Sequence, residues 1–184
     1  MGDSECGGLT HQLNNYCIQN NHELVASLVW NSATIYNFGY SDTIEKLLKK
    51  FEPTYLFFVV GLNEMYAKDL NKRKDAAIRL LSKIKRFQYI WIGPANYIED
   101  KGINKIFESV NDSGCFFSTK GMNLPKGSDG RHPSGNGYKL WMDSIANWIN
   151  LKAKHKISML KPNKKSYPFK SKILILNAAK FRGY

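Results

Sequence analysis

The stretch Thr54–Val60 (TYLFFVV) is apolar throughout and rich in aromatic and β-branched residues, and it narrows the possible folds more than any other feature. A half-buried strand alternates apolar with polar residues. A continuous run of this kind belongs instead to a strand covered on both faces, the inner position of a parallel sheet. Gln88–Ile92 (QYIWI), closed by Gly93-Pro94, reads the same way, and Glu23–Trp30 (ELVASLVW) and Cys115–Ser118 read as shorter strands.

The segments between them carry helical periodicity. Leu9, Leu13, Tyr16 and Cys17 recur at helical spacing up to Asn20-Asn21. Asp42 is placed to cap a helix whose Ile44, Leu47, Leu48 and Phe51 form one stripe, stopped by Pro53. Residues 69–86 set Ala77, Ile78, Leu81 and Ile84 against a basic face, and Ile103, Ile106, Phe107 and Val110 mark a shorter helix. Residues 119–137 form a glycine- and proline-rich loop, followed by an amphipathic helix through Tyr138, Trp141, Met142, Ile145 and Ile149 to about Lys152. Alternating strands and helices predict the α/β class: a three-layer α/β/α sandwich around a parallel sheet. In such a sheet the ligand site lies beyond the carboxyl ends of the strands.

The chain has 184 residues and a formal charge of +12, a surplus that by itself would suggest a polyanionic partner. Its location argues otherwise. Residues 1–150 hold 17 basic and 15 acidic residues, whereas residues 151–184 hold ten basic residues and no acid. The charge therefore belongs to a Lys-rich tail, and the chain divides into a domain over 1–152 and an extension over 153–184. Nucleic acid is not the expected substrate, and neither a glycine-rich phosphate loop nor an RNA-stacking motif is present. No apolar run approaches the roughly 20 residues of a membrane span. The three cysteines, Cys6, Cys17 and Cys115, lack metal-ligand spacing and read as partly buried thiols.

Three polar clusters follow strands or precede helices. Gly2-Asp3-Ser4 directly precedes the first helix, where a serine hydroxyl is exposed at the positive end of the helix dipole and the Ser4 N–H can face an oxyanion. Gly61-Leu62-Asn63-Glu64 follows the inner strand, and the Asn63 amide can donate to developing negative charge. Asp129-Gly130-Arg131-His132 lies in the long loop, where a turn can bring the Asp129 carboxylate to His132 Nδ1 and leave Nε2 to take a proton from a serine. His11, His22 and His155 have no partner at useful spacing and read as surface residues. Glu64, Met65, Tyr66 and the Pro94-Ala95-Asn96 turn follow inner strands and are candidates for lining a substrate pocket, and Arg131 for meeting an anionic one.

These three blocks, in this order, resemble the SGNH (GDSL-type) hydrolase superfamily over about residues 2–152. The resemblance implies a flavodoxin-like sandwich and a serine esterase. Ser4 would be its nucleophile, His132 its general base and Asp129 the carboxylate orienting the imidazole. The Ser4 N–H and Asn63 would be oxyanion donors. It implies acyl-ester substrates, acetyl groups on carbohydrate or cell-envelope material foremost, with no cofactor and no metal. The family's second block, a glycine after the second strand, has no direct counterpart: Asn31 or Ser32 could supply the donor, and Gly39 is the alternative. The same constellation would serve an O-acyltransferase, and a polyanion-binding module with a vestigial site is the reading from a different class.

A buried strand should feed the Gly-Asp-Ser turn, yet Met1 alone precedes it. Two explanations are expected. Either the first strand is missing, or Lys172–Leu176 (KILIL) supplies it, within its own chain or by exchange with a second copy in a homo-oligomer. In the first case a leader would be missing too, and the compartment would be periplasmic or extracellular; otherwise it would be cytoplasmic.

Overall fold

The computed structural model describes residues 1–177. In chain order these form α1 (Glu5–Gln19), β1 (Ala26–Trp30), α2 (Ile35–Tyr40), α3 (Thr43–Phe51), β2 (Tyr55–Val59), a one-turn 3-10 helix (Leu62–Glu64), α4 (Leu70–Ile84), β3 (Gln88–Ile92), α5 (Ile103–Val110), β4 (Phe116–Phe117), α6 (Gly135–Leu151) and β5 (Lys172–Leu176).

All the strand pairings are parallel. β2 pairs with β3 from Tyr55↔Gln88 to Val59↔Ile92, β3 pairs with β4 at Trp91↔Phe116 and Ile92↔Phe117, and β1 pairs with β5 from Ala26↔Lys172 to Trp30↔Leu176. Residues 1–3 join the two halves. Gly2 bridges Val29 on one side and Val59 on the other. The Gly2 N–H donates to Leu28 O (3.0 Å), Trp30 N–H to Gly2 O (2.9 Å), Val59 N–H to Met1 O (2.9 Å) and Asp3 N–H to Val59 O (3.0 Å). The order across the sheet is therefore β5, β1, residues 1–3, β2, β3, β4. Only glycine fits at position 2, since a Cβ there would lie 1.9 Å from Val59 O.

The helices cover both faces, which makes the three-layer sandwich. α1 and α6 pack Leu9, Leu13, Trp141 and Ile145 against Val59, Ile90 and Ile92. α2, α3, α4 and α5 pack Phe38, Ile44, Leu80 and Phe107 against Leu28, Phe58 and Trp91 on the other face. The expected elements form with small differences. Asp42 stands at the N-cap of α3, yet its carboxylate pairs with Lys46 (2.8 Å) and caps no helix N–H. In α4 the buried stripe is Ala76, Ala77, Leu80, Leu81 and Ile84, and Ile78 is exposed. β1 starts at Ala26, because the pairing with β5 begins opposite that residue and no described strand flanks Glu23–Val25 on the β2 side.

The C-terminal segment does not fill the position before Gly2. β5 is a strand, as its apolar run suggests, but it hydrogen-bonds the outer edge of β1 within its own chain. The path leading to it explains why. From α6 the chain runs back along the outside of α1: Leu160 N–H donates to Asn20 Oδ1 (2.7 Å), Tyr167 N–H to Asn15 Oδ1 (3.0 Å), and the Phe169 ring packs at a tilt against His11 (5.1 Å). That route ends beside β1, on the side away from β2. Met159 and Ala153 are buried along the way, while Lys154 and Lys161 reach Asp112 (2.6 Å) and Asp143 (2.7 Å). The described lysines of the tail thus decorate the exposed side of an ordered strap; Lys180 and Arg182 lie outside the described residues. His11, His22 and His155, expected at the surface, all touch this strap or belong to it: His22 Nε2 meets Ser158 O (2.8 Å), and His155 packs on Tyr89. Among the described residues, no helix is long and apolar enough to cross a membrane.

Candidate active site

Ser4 is the N-cap of α1. It follows the segment 1–3 at its carboxyl end, where a parallel sheet opens to ligands. Its N–H lies ahead of the helix, where backbone donors have no intrahelical acceptor, and the helix dipole presents positive charge there. Its hydroxyl reaches His132, with Oγ to Nε2 at 2.8 Å across 128 positions of sequence.

His132 is held by the turn that contains it. Asp129 Oδ1 accepts the N–H groups of Arg131 (2.9 Å) and His132 (3.0 Å), and its Oδ2 lies 2.5 Å from His132 Nδ1. Gly127 N–H to His132 O (2.9 Å) and Gly130 N–H to Gly127 O (3.1 Å) close the turn. An ionised carboxylate can only accept, so Nδ1 carries the proton and Nε2 of the neutral ring is the acceptor for the Ser4 hydroxyl. The hydrogen bond from His132, with those from the backbone, holds the Asp129 carboxyl down at about 2. Asp129 is therefore ionised at any ordinary pH. The pair is half-exposed, at 32% for the His132 side chain and 49% for that of Asp129.

Asp3 joins the first and second clusters, a role the sequence does not announce. Its carboxylate is buried. Oδ1 accepts Glu5 N–H (3.0 Å), and Oδ2 accepts Gly61 N–H (3.0 Å) and Leu62 N–H (3.1 Å). Burial raises it to about 6 against the opposing pull of those three donors. Gly61 takes φ +139, a backbone region that favours glycine, and a Cβ there would also strike Pro94 at 2.8 Å. Clamping Gly61 and Leu62 onto Asp3, the residue before Ser4, fixes the start of the loop that carries Asn63. One Asn63 amide hydrogen is committed to Ala33 O (2.8 Å), and the second is left for a ligand. The bond to Ala33 also brings the loop after β1 to the site, with Ser32 in the left-handed region at φ 57. Gly39 lies elsewhere, inside α2 and packed on Ala76.

Two of the expected lining residues are structural. Glu64 and Met65 are buried, and Glu64 accepts Ile35 N–H and pairs through Oε2 with Arg73 Nε (2.9 Å). Arg73 belongs to the buried stripe of α4, three residues before Ala76, and a cation at that helical phase was the available signal. The Pro94-Ala95-Asn96 turn is pinned from below, Ala95 N–H donating to buried Glu5 Oε1 (3.1 Å) and Lys126 Nζ to Ala95 O (3.0 Å). Tyr66 remains exposed. It meets Tyr97 edge-on at 6.3 Å, and the Arg131 guanidinium lies 5.8 Å above the Tyr97 ring, an aromatic and cationic rim next to His132. No family model matches the chain, and no match was found among curated proteins or solved structures.

Proposed function

We propose that the protein is a serine esterase of the SGNH type, acting on acyl esters, with acetyl groups on carbohydrate or cell-envelope material as the first class to test. The observation that carries this reading is the continuous hydrogen-bonded series Ser4 Oγ, His132 Nε2, His132 Nδ1 and Asp129 Oδ2, at 2.8 and 2.5 Å. Support also comes from the tautomer that Asp129 imposes, from the place of the Ser4 N–H at the start of α1 and from the Asn63 amide hydrogen that the bond to Ala33 O does not use. In the proposed reaction His132 takes the Ser4 proton as Oγ attacks the ester carbonyl. The Ser4 N–H and Asn63 stabilise the oxyanion. The alcohol leaves with the proton held on Nε2, and water activated by the same nitrogen hydrolyses the acyl-enzyme.

A fluorophosphonate probe and p-nitrophenyl acetate test it. The expected result is covalent labelling at Ser4 and turnover of the ester, both abolished in Ser4→Ala. Folded protein that is neither labelled nor active, or a Ser4→Ala variant of undiminished activity, would overturn the reading.

A further inference from the structure

Below Met1 the sheet has a gap. β1 and β2 both pair with residues 1–3 at their carboxyl ends, so they lie two interstrand spacings apart, about 9.6 Å, the width of one strand. Toward their amino ends a cavity of 480 Å³ opens between them. Among the described residues no strand occupies it.

The walls identify what fits. Gly2 uses Leu28 O and Trp30 N–H of β1, while Met1 and Asp3 use Phe57 O, Val59 N–H and Val59 O of β2. Continuing this alternation by one residue at a time directs the N–H groups of Leu28, Phe57, Ala26 and Tyr55, with the carbonyls of Ala26 and Tyr55, into the cavity. An acyl chain would leave those groups unpaired, whereas a peptide backbone answers each of them. The two faces of the cavity are apolar. Leu9 and Leu13 of α1 line one, and Leu48 and Phe51 of α3 line the other. An occupant must therefore be apolar at successive positions, the pattern of a strand buried on both faces. Its direction is set as well: the Met1 ammonium donates to Phe57 O at 2.7 Å, the place a ladder N–H takes, and it points the backbone into the opening.

We propose that this slot is a strand-acceptor site whose occupant is one extended, apolar segment joined to the nitrogen of Met1 and running parallel to β1 and β2. The cavity is lined from Asn21 to Leu28 and from Phe51 to Phe57, room for about five residues at 3.3 Å each.

The test adds five residues before Met1 of the full chain, either Val-Ile-Leu-Ile-Val or Gly-Ser-Gly-Ser-Gly, and compares thermal unfolding and amide exchange. The apolar extension is expected to raise Tm by about 5 °C or more and to slow exchange of the Ala26, Leu28, Tyr55 and Phe57 amides at least about tenfold, with the Gly-Ser extension doing neither. Equal behaviour of the two extensions overturns the proposal. In the unextended chain those four amides should exchange faster than Val29 and Phe58; equal protection there refutes the open slot without any variant. Two controls use the unextended protein: full protection by the free pentapeptide would assign the slot to a separate partner, and full protection by dodecanoate would assign it to a lipid.

Discussion

Asp129→Asn separates the chemistry of the site from its construction. Asp129 makes three hydrogen bonds, and two of them, from the Arg131 and His132 N–H groups, go to one oxygen. An asparagine carbonyl can keep both, so the turn that carries His132 survives. The third bond cannot survive unchanged: an NH2 group in place of Oδ2 is a donor, and it demands an unprotonated Nδ1. The ring proton then moves to Nε2, the atom 2.8 Å from Ser4 Oγ, where it blocks the acceptance of the serine proton. Loss of the correct tautomer in a Ser-His-Asp site lowers kcat by about 10⁴, and a loss of about 10³–10⁴ is expected here. Because the residue is half-exposed and its turn is retained, Tm should stay within about 2 °C of the parent. Asp129→Ala removes all three bonds and should lower both kcat and Tm. Steady-state hydrolysis of p-nitrophenyl acetate, with Tm measured on the same samples, checks the pair. An Asp129→Asn variant within tenfold of the parent would refute the assigned role, since no path from a protonated Nε2 to a general base exists in this geometry.

Three further outcomes follow from the buried polar groups and the close approach at Gly2. Arg73→Ala leaves Glu64 buried against Ile35 N–H without its 2.9 Å partner, a loss of about 3–5 kcal/mol that should lower Tm by roughly 6–20 °C, less at pH 5 than at pH 8 because the carboxyl can then protonate. Burial raises Asp3 from 3.8 to about 6 and Glu64 from 4.5 to about 7, so the stability tied to their protonated forms is complete below about pH 4 and lost as pH climbs through 6 to 7. Thermal scans should therefore give a higher Tm at pH 5 than at pH 8, and Glu64→Gln should flatten the upper part of that slope; a Tm that rises toward pH 8 would contradict it. Gly2→Ala forces a methyl to within 1.9 Å of Val59 O, and urea unfolding should register a loss of about 3 kcal/mol or more; a change under about 0.5 kcal/mol would show that β1 and β2 can separate freely.

The strands were legible because burial on both faces writes itself as unbroken apolar runs, and Tyr55–Val59 and Gln88–Ile92 fall inside the expected bounds. α2 was not, since IYNFGY is six residues long with a glycine, too short for its buried Ile35 and Phe38 to read as a stripe; contact with α4 and the Asn37 bond to Thr34 N–H (2.8 Å) form it. Asp129 and His132 could be read together because their contact is local, three residues apart on a turn. The meeting of His132 with Ser4 followed only from the order of blocks around a parallel sheet. Asp3 stayed hidden for a physical reason: its partners are three backbone N–H groups, from Glu5, Gly61 and Leu62, and no side-chain pattern records a backbone donor.

That hidden residue couples the candidate site to the gap in the sheet. Asp3 holds Gly61 and Leu62 with one carboxylate oxygen and the first turn of α1 with the other, so Ser4 and Asn63 keep their mutual position only while Asp3 keeps its own. Its position rests in turn on the ladder bonds of residues 1–3, the shortest of which is the Met1 ammonium to Phe57 O at 2.7 Å, at the mouth of the slot. Five ladder bonds hold that segment between β1 and β2. Displacement of Met1 and Gly2 loosens Asp3 directly, and through it both Ser4 and the Gly61–Asn63 loop. A strand seated in the slot extends the ladder on both sides and adds bonds to those that position Asp3. Positioning of Ser4 and occupancy of the slot are thus one mechanical problem, linked by a single buried carboxylate.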